Sequence, residues 1–275
     1  MDKKRTVNKS IILIIFSILT ISFIYPLFYM AINAIKTEKE YNMYPFRLPR
    51  VITLDNFTTM ISQFKILQLC KNSFVISTLS ILLILGLGIF ASFSFAKVRF
   101  RGQKWIYMAV IVTMFIPGQV TMIPTYVLFA KVNLINNYWS VILSYVATFL
   151  PGAILLMTSN FRGISNELLE SGKIDGCNYL QIVRNIVIPM GIPAIVIAII
   201  FNFLTFWNDL FTPMILLQDM DSRTVMTALA ALITRYNRNP TFQLAGLFIS
   251  TLPALIVYTF FQKQIVKGMT MGSFR

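Results

Sequence analysis

The stretch NSFVISTLSILLILGLGIFASFSFA, residues 72–96, carries no Asp, Glu, Lys or Arg between Lys71 and Lys97. A helix needs about 20 predominantly apolar residues to cross a hydrocarbon core of roughly 30 Å, and this run is longer than that. It has no period-2 alternation of apolar and polar residues. In hydrocarbon its amides are therefore paired within a helix rather than along a barrel strand. Working outward, five more uncharged stretches of similar length occur, at residues 10–35, 105–130, 132–161, 185–208 and 239–262. The composition agrees, with 56% hydrophobic and 12% charged residues, against roughly 45–50% and 25% in soluble domains. The expected fold is an all-α membrane protein with six transmembrane helices.

Lys3, Lys4 and Arg5 precede the first stretch, an arrangement shared with secretory signals. A signal's apolar region spans only roughly 7–15 residues before a small-residue cleavage site, and this run ends in Tyr29 and Met30. It is expected to remain as the first span. An even number of spans puts both termini on one side, and basic residues mark the cytoplasmic side. With the termini inside, the inner segments hold fourteen of the 24 basic residues against four acids, a net of +10, and the outer segments hold +4. The expected location is the bacterial cell membrane, with both termini cytoplasmic. The overall +14 thus reflects orientation and anionic lipid. A nucleic-acid role is excluded because no basic segment interleaves with aromatics on a soluble face.

The chain has no histidine and two cysteines, Cys70 and Cys177, which this topology puts on opposite sides. Metal, haem and Cys-His or Ser-His nucleophilic sites are excluded on that basis, and no cofactor is expected. A proton- or sodium-coupled transporter would need ionisable groups inside its spans, and the six stretches contain no Asp, Glu, Lys or Arg.

Within the spans, Gly86 and Gly88 permit close approach of another helix. Pro117 and Pro124 stand seven residues apart, close to two helical turns, and predict two kinks on one face of a bent third span. The connector KTEKEYNMYPFRLPRVITLDNF, residues 36–57, reads as an interfacial outer segment. On the inner side, KVRFRGQK follows the second span.

The most informative polar segment lies between the fourth and fifth spans: GISNELLESGKIDGCNYLQIVRNIVIPMGIP, residues 163–193. Ser165 reads as an N-cap, Asn166 opens a helix, and Glu167 falls in its first turn, where the dipole favours an acid. Glu170 and Lys173 are spaced to pair, while Leu168, Leu169 and Ile174 supply apolar surface. Asp175 and Gly176 form a turn in which Gly176 takes left-handed angles. Asn178 caps a second short helix that Pro189 closes. The small pair Ser171 and Gly172 lowers the surface where a partner's backbone comes close.

At these residues the chain resembles the permease subunits of binding-protein-dependent ATP-binding-cassette importers, in the branch that carries carbohydrates. That family's signature is an acid, two alanines, three variable positions and a glycine, then a stretch ending in Ile or Leu followed by Pro. Glu170, Ser171 and Gly172 stand at the acid and alanines, Gly176 at the glycine, and Ile188 with Pro189 at the end. The resemblance extends to YPLFYMAINAIKTEKE, KNSFVIS, the FRG loop, MFIPGQVTMIPTY, FWNDLFTPMILL and LPALIVYTFFQKQIVKGMTMGSFR.

The resemblance implies a type I importer permease in which residues 1–275 form a single transmembrane domain. Its core would run from about 70 to 265, preceded by a first helix and outer connector over 1–69. It implies a second permease as heterodimer partner, two ATP-binding subunits, an extracytoplasmic sugar-binding protein, membrane lipid and a sugar substrate, with no catalytic residue in this chain. It also implies a cytoplasmic coupling-helix elbow between spans four and five. Glu167, Leu168, Glu170, Ser171, Gly172, Asp175, Gly176 and Pro189 are the candidates for coupling to the ATP-binding subunits. Pro117, Trp207, Asn208 and Asp209 are candidates for the substrate pathway, the last three joining an aromatic, an amide and a carboxylate at the outer end of the fifth span. The tail from Lys267 to Arg275 is expected against the ATP-binding subunits. A permease for a non-sugar solute remains the alternative, with a secondary transporter behind it.

Overall fold

The computed structural model describes residues 2–235 and 239–271, with side chains for residue 9 and residues 11–232 and 239–262. Among the described residues there is no strand. Helices α1 (Asp2–Ala34), α2 (Glu38–Met43), α3 (Asp55–Ser62) and α4 (Ile66–Lys97) come first. They are followed by α5 (Gln103–Val112), α6 (Gly118–Lys131), α7 (Tyr138–Arg162), α8 (Asn166–Ile174) and α9 (Tyr179–Ile182). The order ends with α10 (Ile188–Asn208), α11 (Phe211–Leu216), α12 (Val225–Arg235) and α13 (Pro240–Met271). Among the described residues, five helical stretches are long and apolar enough to cross a membrane: α1, α4, α7, the run Tyr179–Asn208 and α13. A sixth span is complete if α5 and α6, which bend through 97° at their junction, count as one.

That bend corrects the expectation of two kinks in the third span. The chain tightens into a 3-10 turn at Thr113–Phe115, and Ile116 then turns extended at φ −82°, ψ 114°. Pro117 disfavours a helical conformation in the residue before it, and its missing N–H suits the start of a new helix. Pro117 accordingly precedes α6 as its N-cap. Pro124 stays inside α6, so one proline breaks the span and the other does not.

The chain divides into two compact units. One comprises Met1–Leu67 and Leu229–Pro253. Here the Lys36 side chain is fully buried, and its ammonium donates to the carbonyls of Tyr44 at 3.0 Å and Pro45 at 3.4 Å. Asn56 donates to the carbonyls of Ala34 and Lys36, both at 2.8 Å, and accepts from the Thr241 hydroxyl at 3.3 Å. The connector between α1 and α4 is thereby an ordered, hydrogen-bonded structure. Burial pushes the Lys36 pKa below the usual lysine value, with Glu40 acting the other way.

The other unit comprises Gln68–Ala228 and Ala254–Arg275. Its centre is built on α7 and α10, which bury Tyr145, Ile154, Met157 and Phe161 from one helix and Ala194, Ala198, Phe203 and Phe206 from the other. Tyr145 stacks on Phe206 with ring centroids 4.2 Å apart. Against α7 lies α4, where Ser92 donates to the Ile154 carbonyl at 3.2 Å. A Cβ on Gly88 would stand 2.7 Å from the Met157 methyl, so Gly88 allows the close approach read from the sequence. Among the described residues nothing lies within 4 Å of a Cβ on Gly86, and no close approach there depends on that glycine.

Candidate functional site

The elbow begins where α7 ends. Ser165 has extended angles, and its hydroxyl accepts from the Leu168 N–H at 3.3 Å, capping α8 as its sequence position predicts. Glu167 occupies the first turn, where the unpaired N–H groups favour a carboxylate. At the other end, Gly176 has φ +83°. The Gly176 N–H donates to the Lys173 carbonyl at 3.0 Å and the Cys177 N–H to the Gly172 carbonyl at 2.9 Å. This pair of bonds is the Schellman closure of a helix, and it requires left-handed backbone at the glycine.

The second helix is capped more fully than the sequence reading anticipated. Asn178 Oδ1 accepts from the Gln181 N–H at 2.9 Å, and Gln181 Oε1 accepts from the Asn178 N–H at 2.8 Å. The signal for this reciprocal box was the Asn-x-x-Gln spacing. Pro189 does not close the helix, as had been expected. A π turn over Val183–Val187, in which the Ile188 N–H donates to the Val183 carbonyl, leads directly into α10. The wider turn accommodates a proline ring that a regular α-helix would place against the carbonyl four residues back. Residues Tyr179–Asn208 therefore run as one long helical span, and α8 meets it through the tight turn at residues 175–178.

The structure divides the coupling candidates between two faces. Leu169 and Gly172 are buried. A Cβ on Gly172 would stand 2.9 Å from Ile186 Cδ1, so its small size serves packing within the elbow rather than a partner's approach. This corrects the reading of Ser171 and Gly172 as one docking pair. Glu167, Glu170, Ser171, Asp175 and Gly176 are exposed, as are Leu168 at 39% and Ile174 at 86%. Pro189 is exposed within the first turn of α10. Lys173 does not turn to Glu170 but lies over the Tyr179 ring, 5.6 Å from its centroid. Three of the chain's ten acids are thus presented on one short helix and its cap, beside exposed aliphatic side chains, in a protein of net charge +14.

At the end of α10, the pathway candidates serve the fold. Trp207 is buried and stacks on Phe203 with centroids 5.6 Å apart. Asn208 turns its amide back to the Leu204 carbonyl at 2.7 Å. Asp209 accepts from the Tyr145 hydroxyl at 3.0 Å and, through its other oxygen, from the Phe211 N–H at 3.0 Å. An open groove nearby is lined by Met122, Ile123, Tyr126, Met214, Ile215 and Gln218, and it includes none of Pro117, Trp207, Asn208 and Asp209. Sequence reasoning also missed Asn136. Its left-handed backbone at φ 61° lets Oδ1 accept from the N–H groups of Gln218 and Asp219 at 2.6 and 3.2 Å. Residues 272–275, the end of the tail expected to meet the ATP-binding subunits, lie outside the described residues, as do the side chains from 263 onward.

Residues 84–271, which include the elbow, match the family described as binding-protein-dependent transport system inner membrane component. The chain belongs to that family. This permease is 32% identical to a putative ABC transporter permease protein, ORF2, of Caldicellulosiruptor sp. (strain Rt8B.4), over 90% of each chain. It is 26% identical to the probable starch degradation products transport system permease protein AmyC of Thermoanaerobacterium thermosulfurigenes, over 98% of each. With the arabinooligosaccharides transport system permease protein AraQ of Bacillus subtilis (strain 168) it shares 27% identity over 94% of this chain and 92% of the relative. A chain from the crystal structure of a bacterial ABC transporter that imports the acidic polysaccharide alginate superposes with a TM-score of 0.81 at 20% identity, covering 96% of this permease and 98% of that chain. The likeness extends over nearly the full length, as read from the sequence, and the fold is that of a type I importer permease.

Proposed function

We propose that this permease forms, with a second permease, the membrane channel of an ATP-binding-cassette importer for a sugar or oligosaccharide. Two ATP-binding subunits lie on the cytoplasmic side and a sugar-binding protein outside, with both termini cytoplasmic. Residues 1–275 act as one permease domain. The observation that carries the reading is the elbow: a short helix, capped at both ends, meeting the next helical run through a tight glycine turn and presenting Glu167, Glu170, Asp175, Leu168 and Ile174 outward. A solvated connector needs neither double capping nor exposed aliphatics. An acidic rim around apolar side chains fits a groove with basic walls, and closure of two ATP-binding subunits around nucleotide then moves α8 as a rigid body. The names of AmyC and AraQ support an oligosaccharide as cargo. Reconstitution into vesicles provides the test. Uptake of labelled oligosaccharide is expected only with the ATP-binding subunits, ATP and the binding protein all present. Uptake by the two permeases alone, driven by a proton or sodium gradient, would overturn the proposal.

A further inference from the structure

Four basic residues punctuate residues 97–104, and three of them, Arg99, Arg101 and Lys104, are exposed. Orientation in the membrane needs only their charge. Lys97 is different, for it is half-buried at the end of α4. Its ammonium donates to the carbonyls of Ile164 and Arg162, the latter at 3.3 Å, and to Asn166 Oδ1 at 3.0 Å. A lysine ammonium has three N–H donors, and here all three are used on acceptors 65 to 69 residues away in the chain. One acceptor is the last residue of α7, where bare carbonyls and the negative end of the helix dipole favour a cation, and Ile164 follows it in the link to α8. The third is the first residue of α8.

The surrounding contacts lace the same ends together. Gln103, opening α5, donates to the Ser94 and Phe95 carbonyls of α4 at 3.3 and 2.9 Å. The Arg162 guanidinium lies 5.3 Å from the centroid of the Tyr107 ring of α5. The trailing end of α8 is secured by Gly172 against Ile186 and by the Gly176 turn, whose bonds to the Lys173 and Gly172 carbonyls close the helix. Its leading end is joined to α7 by Gly163 and Ile164, whose N–H groups bond back to the Asn160 and Phe161 carbonyls, and fixing it to α4 as well takes a hold from outside that turn.

We propose that Lys97 is that hold: a positioning residue that ties the leading end of α8 to α4 and α7, so that displacement of the elbow is transmitted to the spans. This rests on the coupling role proposed above. The test uses the complete reconstituted importer carrying Lys97→Met, Lys97→Arg or Asn166→Ala, with two readouts. The first is oligosaccharide moved per ATP hydrolysed. The second is hydrogen exchange at the α8 amides, which does not depend on transport. Losing charge-assisted hydrogen bonds predicts that Lys97→Met lowers the transport ratio and accelerates exchange, each by roughly tenfold. ATP hydrolysis itself continues. Lys97→Arg, which keeps the charge and several donors, is expected to stay within about twofold of wild type. Asn166→Ala breaks one bond of the three and shifts both readouts in the same direction by a smaller factor, and it decides the matter if Lys97→Met fails to accumulate in the membrane. Unchanged ratio and unchanged exchange in Lys97→Met, or in Asn166→Ala where it decides, would overturn the inference while leaving the importer reading intact. A wild-type complex that moves no oligosaccharide would overturn the importer reading, and α8 exchange would still report on Lys97.

Discussion

Replacing Gly176 with valine asks whether the elbow works as a stiff lever. No heavy atom of the described residues lies within 4 Å of a Cβ built on Gly176, so the obstacle among them is the left-handed φ of +83° rather than crowding. An L-residue held there costs about 1–2 kcal/mol, with β-branched side chains the least tolerant. If the backbone relaxes instead, the bonds from the N–H groups of Gly176 and Cys177 to the Lys173 and Gly172 carbonyls are given up, at about 0.5–1.5 kcal/mol each. Either route withdraws about 1–3 kcal/mol from the elbow, which must help reverse a two-state equilibrium needing about 5.5 kcal/mol to pass from 1:99 to 99:1. A loss of that order changes populations by a factor of roughly 5–150. Uptake by Gly176→Val in reconstituted vesicles is expected to fall by that factor at unchanged membrane abundance. Gly176→Asn, which tolerates left-handed angles, should remain near wild type. Equal uptake by the valine and wild-type proteins, at equal abundance, would refute the lever.

Gly172→Leu is expected to destabilise the elbow by about 1–3 kcal/mol through overpacking against Ile186, measured as earlier proteolysis between α8 and α9, while Ser171→Leu on the exposed side leaves proteolysis unchanged. Tyr145→Phe removes the hydroxyl donor to Asp209 but keeps the stack on Phe206, and a loss of about 1–3 kcal/mol should lower the thermal unfolding temperature of the purified complex by a few degrees. Glu170→Lys is expected to weaken co-purification with the ATP-binding subunits, most visibly at low salt, where exposed charges are least screened.

The spans were legible because hydrocarbon imposes a length and a composition that sequence displays directly. Ser165, Gly176 and Asn178 were legible because caps depend on local backbone and side-chain chemistry. The face on which Gly172 lies was not, since the same small residue suits a partner's approach or internal packing, and Ile186 decides between them from fourteen positions away. Pro117 and Pro124 look alike in sequence. One begins a new helix and the other sits within α6. Pro189 misled because a π turn upstream relieves the clash that normally ends a helix. Lys97 read only as charge, and Lys36 as part of an interfacial connector, because carbonyl acceptors elsewhere in the chain leave no periodic trace. Trp207, Asn208 and Asp209 have the chemistry of a sugar site, but their partners Phe203, Leu204, Tyr145 and Phe211 use that chemistry to build the end of α10.

Thiol cross-linking from Ile174 probes the elbow most directly, since that side chain is 86% exposed. In a background with Cys70 and Cys177 replaced by serine, Ile174→Cys should be shielded from membrane-impermeant thiol reagents added outside intact cells. With a cysteine scan of the ATP-binding subunit's surface, it should form a disulfide to that subunit whose yield changes with bound nucleotide. Labelling of Ile174→Cys from outside the cell, with no disulfide to the ATP-binding subunit in any nucleotide state, would contradict the account.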